Sequence, residues 1–215
     1  MRIAPEGRGF IAIAWLVAFG LLAAAVRYDT TVWWIVSVLW LVLAVWVVAF
    51  FRDPVRSGQR GDRLILAPAD GKVVSIAEVE EPAFMKTRAL RISIFMNVFN
   101  CHVNRYPTDG VVRYRNYNPG KFGHAAAEKS SLDNEQSSVG VAAPQGKLLI
   151  RQIAGLIARR IVTDHGVGIT VHQGERMGMI RFGSRVDLFL PLGTKVLVTT
   201  GENTLVGVTV VAEWN

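Results

Sequence analysis

Residues 174–191 read GERMGMIRFGSRVDLFLP, and their reading decides the fold. Two runs, 177–182 and 185–190, alternate like half-buried strands, and the pair Gly183-Ser184 stands between them. Glycine in such a place marks a turn, a bulge or a close approach of backbone. Outward from this stretch the pattern repeats. Apolar-alternating runs occupy 72–79, 90–99, 110–117, 147–153, 169–172, 195–199 and 205–213. Pro68, Gly71, Pro107, Gly110, Pro119, Gly120, Gly174, Pro191, Gly193, Gly201 and Asn203 punctuate them. Many short strands with turn signals at this spacing predict a mainly β domain, sandwich- or barrel-like, with few short helices. Residues 154–160 (AGLIARR) predict a helical turn or short helix, and the polar stretch 123–138 (GHAAAEKSSLDNEQSS) predicts a mobile loop.

The N-terminal quarter follows different rules. Residues 9–26 and 30–51 carry no charge. At 1.5 Å per residue, about 18–20 helical residues reach roughly 27–30 Å, one hydrocarbon core. A soluble helix apolar on all sides needs burial on all sides, and the rest of the chain is too small to bury two. A two-helix transmembrane hairpin over 1–51 is expected, with Trp33, Trp34 and Trp46 near the ends of the second span and Trp40 as mid-span filling. A signal peptide is the rival for the first segment, with Arg2 and Arg8 before it and Ala23-Ala24-Ala25 as a cleavage site. The flanks favour the hairpin. Arg2 and Arg8 precede it and Arg52, Arg56, Arg60 and Arg63 follow it, whereas the connection carries only Arg27. The positive-inside rule then places both ends in the cytoplasm. The polar stretch 52–63 reads as a linker and 64–215 as the folded domain.

Of the 24 Lys and Arg, 21 lie in 52–215, with 15 of the 17 Asp and Glu, a net +6. Tethered to a bilayer, such a domain is held against an anionic membrane. No nucleic-acid-binding motif accompanies the charge, so no nucleic acid is expected. Cys101 is the only cysteine, which excludes an internal disulfide and a cysteine-based zinc site. Four scattered histidines without a His-x-x-x-His pattern predict no metal.

Three places carry candidate chemistry. A strained peptide before Ser184 would suit attack of its hydroxyl on the preceding carbonyl, although a Gly-Ser pair is ordinarily a turn. Asp70-Gly71 is a common hairpin turn, but an Asp fixed there can also orient a histidine. His102, at the end of an apolar run, suits a general base near neutral pH, although a histidine there is more often structural. His124, His165 and His172 lie in polar or turn-rich stretches and are expected to face solvent.

Taken in order, FFRDP (50–54), APADGKV (67–73), FMNVFNCHVNRYP (95–107), YNPGKF (117–122), DNE (133–135), QIAGLIARRIV (152–162), GERMGMIRFGSRVDLFLP (174–191) and TTGENTLVGV (199–208) resemble the phosphatidylserine decarboxylase proenzymes in their short bacterial and archaeal form. The resemblance spans about 52–215, and the apolar hairpin is typical as well. It implies an enzyme whose cofactor is a pyruvoyl group made from its own chain. Ser184 would attack the Gly183 carbonyl, and the resulting ester would eliminate to leave a large chain, 1–183, and a small chain, 184–215, as a heterodimer open to higher assembly. The pyruvoyl carbonyl would form a Schiff base with phosphatidylserine and act as electron sink for decarboxylation to phosphatidylethanolamine. By position, Asp70 and His102 would handle protons for Ser184. Longer members carry a second histidine three residues on; here it is Arg105, so His102 would serve self-cleavage, protonation of the carbanion, or both. Arg105 would bind substrate carboxylate or phosphate through its planar fork.

Two other classes compete. Gly174-Glu175 and Gly201-Glu202 turns suit a membrane-tethered biotinyl- or lipoyl-like carrier, but no Lys stands in a hairpin between Met or Ala. A Ser-His-Asp hydrolase using Ser184, His102 and Asp70 would lack the Gly-x-Ser-x-Gly elbow.

Overall fold

The computed structural model describes residues 2–120, 134–155, 160–181 and 184–215. The chain divides into two compact units, Met1–Val55 and Arg56–Asn215.

In the first unit, β1 (Arg2–Ile3) leads into helix α1 (Arg8–Tyr28), and α2 (Thr31–Phe50) runs back to β2 (Arg52–Asp53), which pairs antiparallel with β1. Residues 52–53, read from sequence as the start of a linker, thus close the helical pair. Asp29 ends α1 in the left-handed conformation (φ 44°), and its N–H caps the Ala25 carbonyl, turning the chain in two residues. Both helices are long and apolar enough to cross a membrane. Along the spans the buried residues are small, Ala14, Ala18 and Ala25 on α1 and Ser37 and Ala44 on α2, and Phe50 is buried at the end of α2. Trp40 is more than the filling its position suggests, because its indole Nε1 donates to the Ala14 carbonyl at 2.8 Å across the pair. Both partners lie mid-helix, where hydrocarbon would offer neither a substitute.

The second unit is mainly β, as its turn spacing predicts. Its strands are β3 (Leu64–Leu66), β4 (Gly71–Glu81), β5 (Thr87–Met96), β6 (Val103–Arg105), β7 (Gly110–Asn118), β8 (Gln136–Ala143) and β9 (Gly146–Ala154). They continue as β10 (Ile161–Thr163), β11 (Thr170–Val171), β12 (Arg176–Ile180), β13 (Ser184–Pro191), β14 (Lys195–Val196), β15 (Asn203–Thr204) and β16 (Val210–Glu213). The main sheet has eight antiparallel strands in the order β11-β7-β8-β9-β13-β5-β4-β15. Two three-stranded sheets accompany it, β10-β12-β6 and β14-β16-β3.

β13 shows how the sequence pattern becomes a core. Val186, Leu188 and Leu190 join the main cluster with Ile92, Ile94, Val139, Leu148 and Ile150. The alternate face carries Arg185, Asp187 and Phe189. That face is covered too. Glu81 accepts from the Phe84 and Met85 N–H groups at 2.8 and 2.9 Å, and this holds the β4–β5 turn. Phe84 lies so close to Gly140 that a Cβ there would sit 2.7 Å from the ring. Phe189 packs with Ala89 and Leu149, and the Arg151 guanidinium stacks over its ring at 4.8 Å. Covered on both faces, β13 is buried along its length up to Pro191.

Two sequence expectations need correction. Residues 136–138, placed in a mobile loop, begin β8, and 134–138 are buried. Their polarity is satisfied inside the sheet. Ser138 accepts from Arg151 Nε at 3.2 Å, and Asn134 donates to the Ala154 carbonyl at 2.7 Å. A run of buried, internally bonded polar residues has no apolar periodicity to reveal it as a strand. Ala154, assigned to a helical turn, is instead the last residue of β9. Residues 155 and 160 are in neither helix nor strand, and the remaining parts of both expectations, 123–133 and 156–159, lie outside the described residues.

Candidate active site

The quoted motifs are far apart in sequence, and strand register brings six of them into one row. Ser184, the first residue of β13, lies between Met96 of β5 and Ala154 of β9. On the β5 side, Lys72 pairs with Phe95, and the same register carried on by one residue sets Gly71 beside Met96. Thr204 of β15 pairs with Gly71. On the β9 side, the Ala154 N–H donates to the Glu135 carbonyl at 2.9 Å. The row therefore reads Thr204, Gly71, Met96, Ser184, Ala154, Glu135. Gly71 is required there, because a Cβ would overlap the Phe95 carbonyl.

Ser184 is fully buried. Its hydroxyl donates to the Met96 thioether, Oγ to Sδ 3.4 Å. Sulfur is among the weakest acceptors, so the proton is oriented but weakly held. Behind Met96 runs a buried relay. Asn104 Nδ2 donates to the same sulfur at 3.8 Å, Gln152 Nε2 to Asn104 Oδ1 at 2.8 Å, and Thr163 Oγ1 to Gln152 Oε1 at 3.0 Å. With its only hydrogen used, Thr163 accepts from Ser137 in their 2.8 Å contact. Every donor in this chain points toward Met96.

His102 is also fully buried, and its Nδ1 lies 3.0 Å from the Asn100 carbonyl. Its own carbonyl accepts from the Ile180 N–H at 3.2 Å, beside the strand that leads toward Ser184. The segment 97–102 thus connects the main sheet to the sheet β10-β12-β6, and it leaves β5 at the end where Ser184 begins β13. Gly183, the other half of the expected cleavage bond, lies outside the described residues, as does His124.

Asp70 sits on the turn into β4, and its partners are not histidines. Oδ2 accepts from Arg56 at 2.8 Å, and Oδ1 from the Val206 N–H at 2.7 Å. Thr204 Oγ1 donates to the Ala69 carbonyl at 2.9 Å. The stretch TTGENTLVGV therefore locks the Asp70 turn, and Arg56, read from sequence as a linker residue, neutralises its charge. Arg105 Nη1 donates to the Gly174 carbonyl at 3.0 Å, and its stem packs on Gly207, where a Cβ would lie 3.1 Å from Cδ. His172 is exposed as expected, whereas His165 is half-buried, with its ring 5.6 Å from that of Tyr106.

Residues 43–212 match the family model described as phosphatidylserine decarboxylase. This chain belongs to the phosphatidylserine decarboxylase family. It is 45% identical over 213 residues to the phosphatidylserine decarboxylase proenzyme of Azorhizobium caulinodans, covering 98% of this chain and 88% of that one. It is 51% identical over 169 residues to the proenzyme of that name from Nitrobacter winogradskyi, at 77% and 68% coverage. The corresponding protein of Nitrosomonas europaea is 42% identical over 214 residues, at 99% and 95% coverage. The likeness to the A. caulinodans and N. europaea proteins runs through the hairpin as well as the β unit.

Sequence reading proposes Ser184, Gly183, Asp70, His102 and Arg105 as candidates, and it does not single out Arg56, Met96, Asn104, Glu135 or Gln152, which the structure sets around Asp70 and Ser184. Asn104, Glu135 and Gln152 are polar residues at buried positions, a signal that appears only once the strands are paired. Among the described residues, no group of three or more His, Cys, Asp or Glu side chains assembles.

Proposed function

We propose that this chain is a phosphatidylserine decarboxylase proenzyme that cleaves itself between Gly183 and Ser184. The observation that carries the reading is the placement of a fully buried serine, weakly held, where the family's motifs meet in one row. Ser184 Oγ attacks the Gly183 carbonyl carbon and the C–N bond breaks, so the peptide becomes an ester with the Ser184 nitrogen as a free amine. Loss of the Ser184 α-proton expels the upstream chain as its carboxylate and leaves a dehydroalanine. Water adds, ammonia departs, and the small chain, 184–215, begins with a pyruvoyl group in a heterodimer with 1–183.

The residues around Ser184 fit such a group. The site is buried, bounded by Met96 and Ala154, and the β13 backbone between β5 and β9 would hold it. When formed, it supplies a carbonyl that takes up the substrate amine and accepts the electron pair released with CO₂. The surrounding side chains do the rest. His102 is the proton carrier closest in chain topology to Ser184 and serves the cleavage, the return of a proton to carbon, or both. Asp70, held by Arg56 and Val206, fixes the turn that sets Gly71 beside Met96, and contributes a carboxylate near the row. Arg105 meets the substrate's carboxylate or phosphate. The hairpin crosses the cell membrane with both ends in the cytoplasm, and the basic β unit works against the anionic leaflet. Decarboxylation there yields phosphatidylethanolamine for phospholipid synthesis.

On a denaturing gel the purified protein should give two chains, about 20 and 3–4 kDa from their lengths. The small one should react with carbonyl reagents and lack a free amino terminus. Ser184→Ala should stay a single chain without activity, and His102→Ala should slow cleavage or turnover about 10²–10⁴-fold, the usual range for a general acid–base group. Activity from an uncleaved wild-type chain would end this reading. It would leave a carrier module or a Ser-His-Asp hydrolase to be considered.

A further inference from the structure

The sheet β10-β12-β6 ends where the Ser184 site begins. Ile161 pairs with Ile180, and the Ile180 N–H donates to the His102 carbonyl, so these three residues lie side by side. One residue further, the Arg181 N–H donates to the Arg160 carbonyl at 3.2 Å, which puts two arginines on the same edge. The third component of this edge is the connection from Met96 to His102. It is a tightly braced turn. The Asn97 N–H donates to Asn100 Oδ1 at 2.9 Å, the Phe99 N–H to Asn97 Oδ1 at 2.8 Å, and the Asn100 N–H to the Asn97 carbonyl at 3.0 Å. The tip so fixed carries Phe99, which is 72% exposed, while Cys101 and His102 just after it are fully buried. Asn100 caps the tip with its side chain and meets His102 Nδ1 with its carbonyl.

We propose that this end of the β unit is the face that seats on an anionic bilayer. Phe99 enters the boundary between head groups and acyl chains, and Arg160 and Arg181 lie against lipid phosphates. The inference rests on the reading of the substrate as a membrane phospholipid. Its own argument is the chemistry of the edge. An exposed phenyl ring on a braced turn, at the edge where the backbone sets two arginines, matches a surface that is apolar below and negatively charged above. A lipid that keeps its tails in the bilayer can offer its head group only to a site facing that plane, and this edge is the one beside His102 and Ser184. The turn also joins the two events. Asn97 holds the Phe99 N–H, Asn100 holds the Asn97 N–H, and the Asn100 carbonyl contacts the His102 ring, so the seated face and the proton carrier share one turn.

The test uses the full-length chain in nanodiscs of phosphatidylcholine with phosphatidylglycerol, an anionic lipid that is not the substrate. A nitroxide is placed at Phe99→Cys or, as control, at Val167→Cys, an exposed position beyond the opposite end of β10. Cys101 is buried and stays in place. The Phe99→Cys label should be reached more readily by oxygen than by a water-soluble nickel chelate, and the Val167→Cys label the reverse. Water-like accessibility at both positions overturns the proposal. This readout needs neither cleavage nor turnover, so it stands apart from any failure of the proposed reaction. As a second measure, Phe99→Asp should raise KM for phosphatidylserine in vesicles about tenfold, as expected for losing one membrane-inserted anchor. The same variant should leave kcat/KM on a short-chain soluble phosphatidylserine within about twofold, and Phe99→Trp should restore the vesicle KM. Equal losses on both substrates, or none on either, would overturn it.

Discussion

The two units sort the same side-chain types in opposite ways. In the hairpin, Leu16, Phe19, Leu39 and Val42 are exposed, and the buried positions along the spans go to Ala14, Ala18, Ala25, Ser37 and Ala44, with Phe50 and Phe51 buried only at the closing end. In the β unit, Ile65, Ile92, Ile94, Leu148 and Ile150 are buried, and its Lys and Arg side chains are largely at the surface. Water drives the second arrangement by removing apolar surface. It would oppose the first, because an exposed apolar surface of that extent does not persist in water. Close approach of small residues, with a polar contact such as Trp40 to Ala14, is instead how helices associate where the solvent is itself apolar.

The largest effect should come from separating the units. A chain lacking residues 1–51 loses the proposed membrane anchor, and the chemistry proposed at Ser184 lies wholly in the remainder. Full-length protein should stay with membranes at high salt. The truncated form should be released by it, since only screened charge then holds it. Self-cleavage should persist. Activity should fall far more on vesicles than on short-chain soluble phosphatidylserine, and the measurement is truncated against full-length protein on both. Equal losses would mean that the hairpin supports folding, and the contrast between the units would lose its functional meaning.

A smaller effect tests the other side of the contrast, a charged pair inside the β unit. Arg185 and Asp187 are fully or nearly buried on one face of β13, with Nε to Oδ1 2.9 Å. Their mutual attraction offsets the cost of taking both from water only while both are present. Asp187→Ala takes the carboxylate away from a buried guanidinium and should cost about 3–5 kcal/mol, read by denaturant unfolding in the uncleaved Ser184→Ala background. Arg185→Met with Asp187→Leu should recover most of that loss. A loss under about 1 kcal/mol for Asp187→Ala would show that the pair behaves like an exposed one.

These residues also show what the sequence makes legible. The hairpin is readable because its signal is compositional: two charge-free stretches need no partner to be recognised. The strands β4, β5, β7, β9 and β13 are readable because one face of each is apolar and alternates. β8 is not, since Gln136, Ser137 and Ser138 are buried by pairing rather than by hydrophobicity. β3, β6 and β10 are three residues each, too short to show a period. At the site, Ser184 and His102 stand out through their motifs. The Arg56–Asp70 pair spans 14 residues and a turn, and the Asn104–Gln152 bond spans 48. Such contacts follow from register, and a one-residue slip of any strand would undo them.

The smallest expected effect concerns Tyr106, buried in the core with a hydroxyl that has no hydrogen-bonding partner among the described residues. Burial pushes its phenol well above the usual range, and the nearby Glu175 carboxylate pushes the same way. A raised folded-state pKa favours the neutral form in the fold. The associated stability is therefore fully present below about pH 10, the ordinary phenol value, and is lost as pH rises toward the folded-state pKa. Tyr106→Phe removes both the unmet hydroxyl and the titration. At neutral pH the variant should match the parent or exceed it by up to about 1 kcal/mol, because an unpartnered buried polar group costs stability rather than adding it. Above about pH 10 it should gain on the parent, so its alkaline unfolding limb should be shallower. Thermal unfolding of the two proteins from pH 7 to 11, in the Ser184→Ala background, measures both effects. A loss of more than about 1 kcal/mol at pH 7 would mean that the hydroxyl is bonded after all, the usual fate of a buried polar group. The interior of the β unit would then be as fully satisfied at Tyr106 as it is along the relay from Ser137 to Met96.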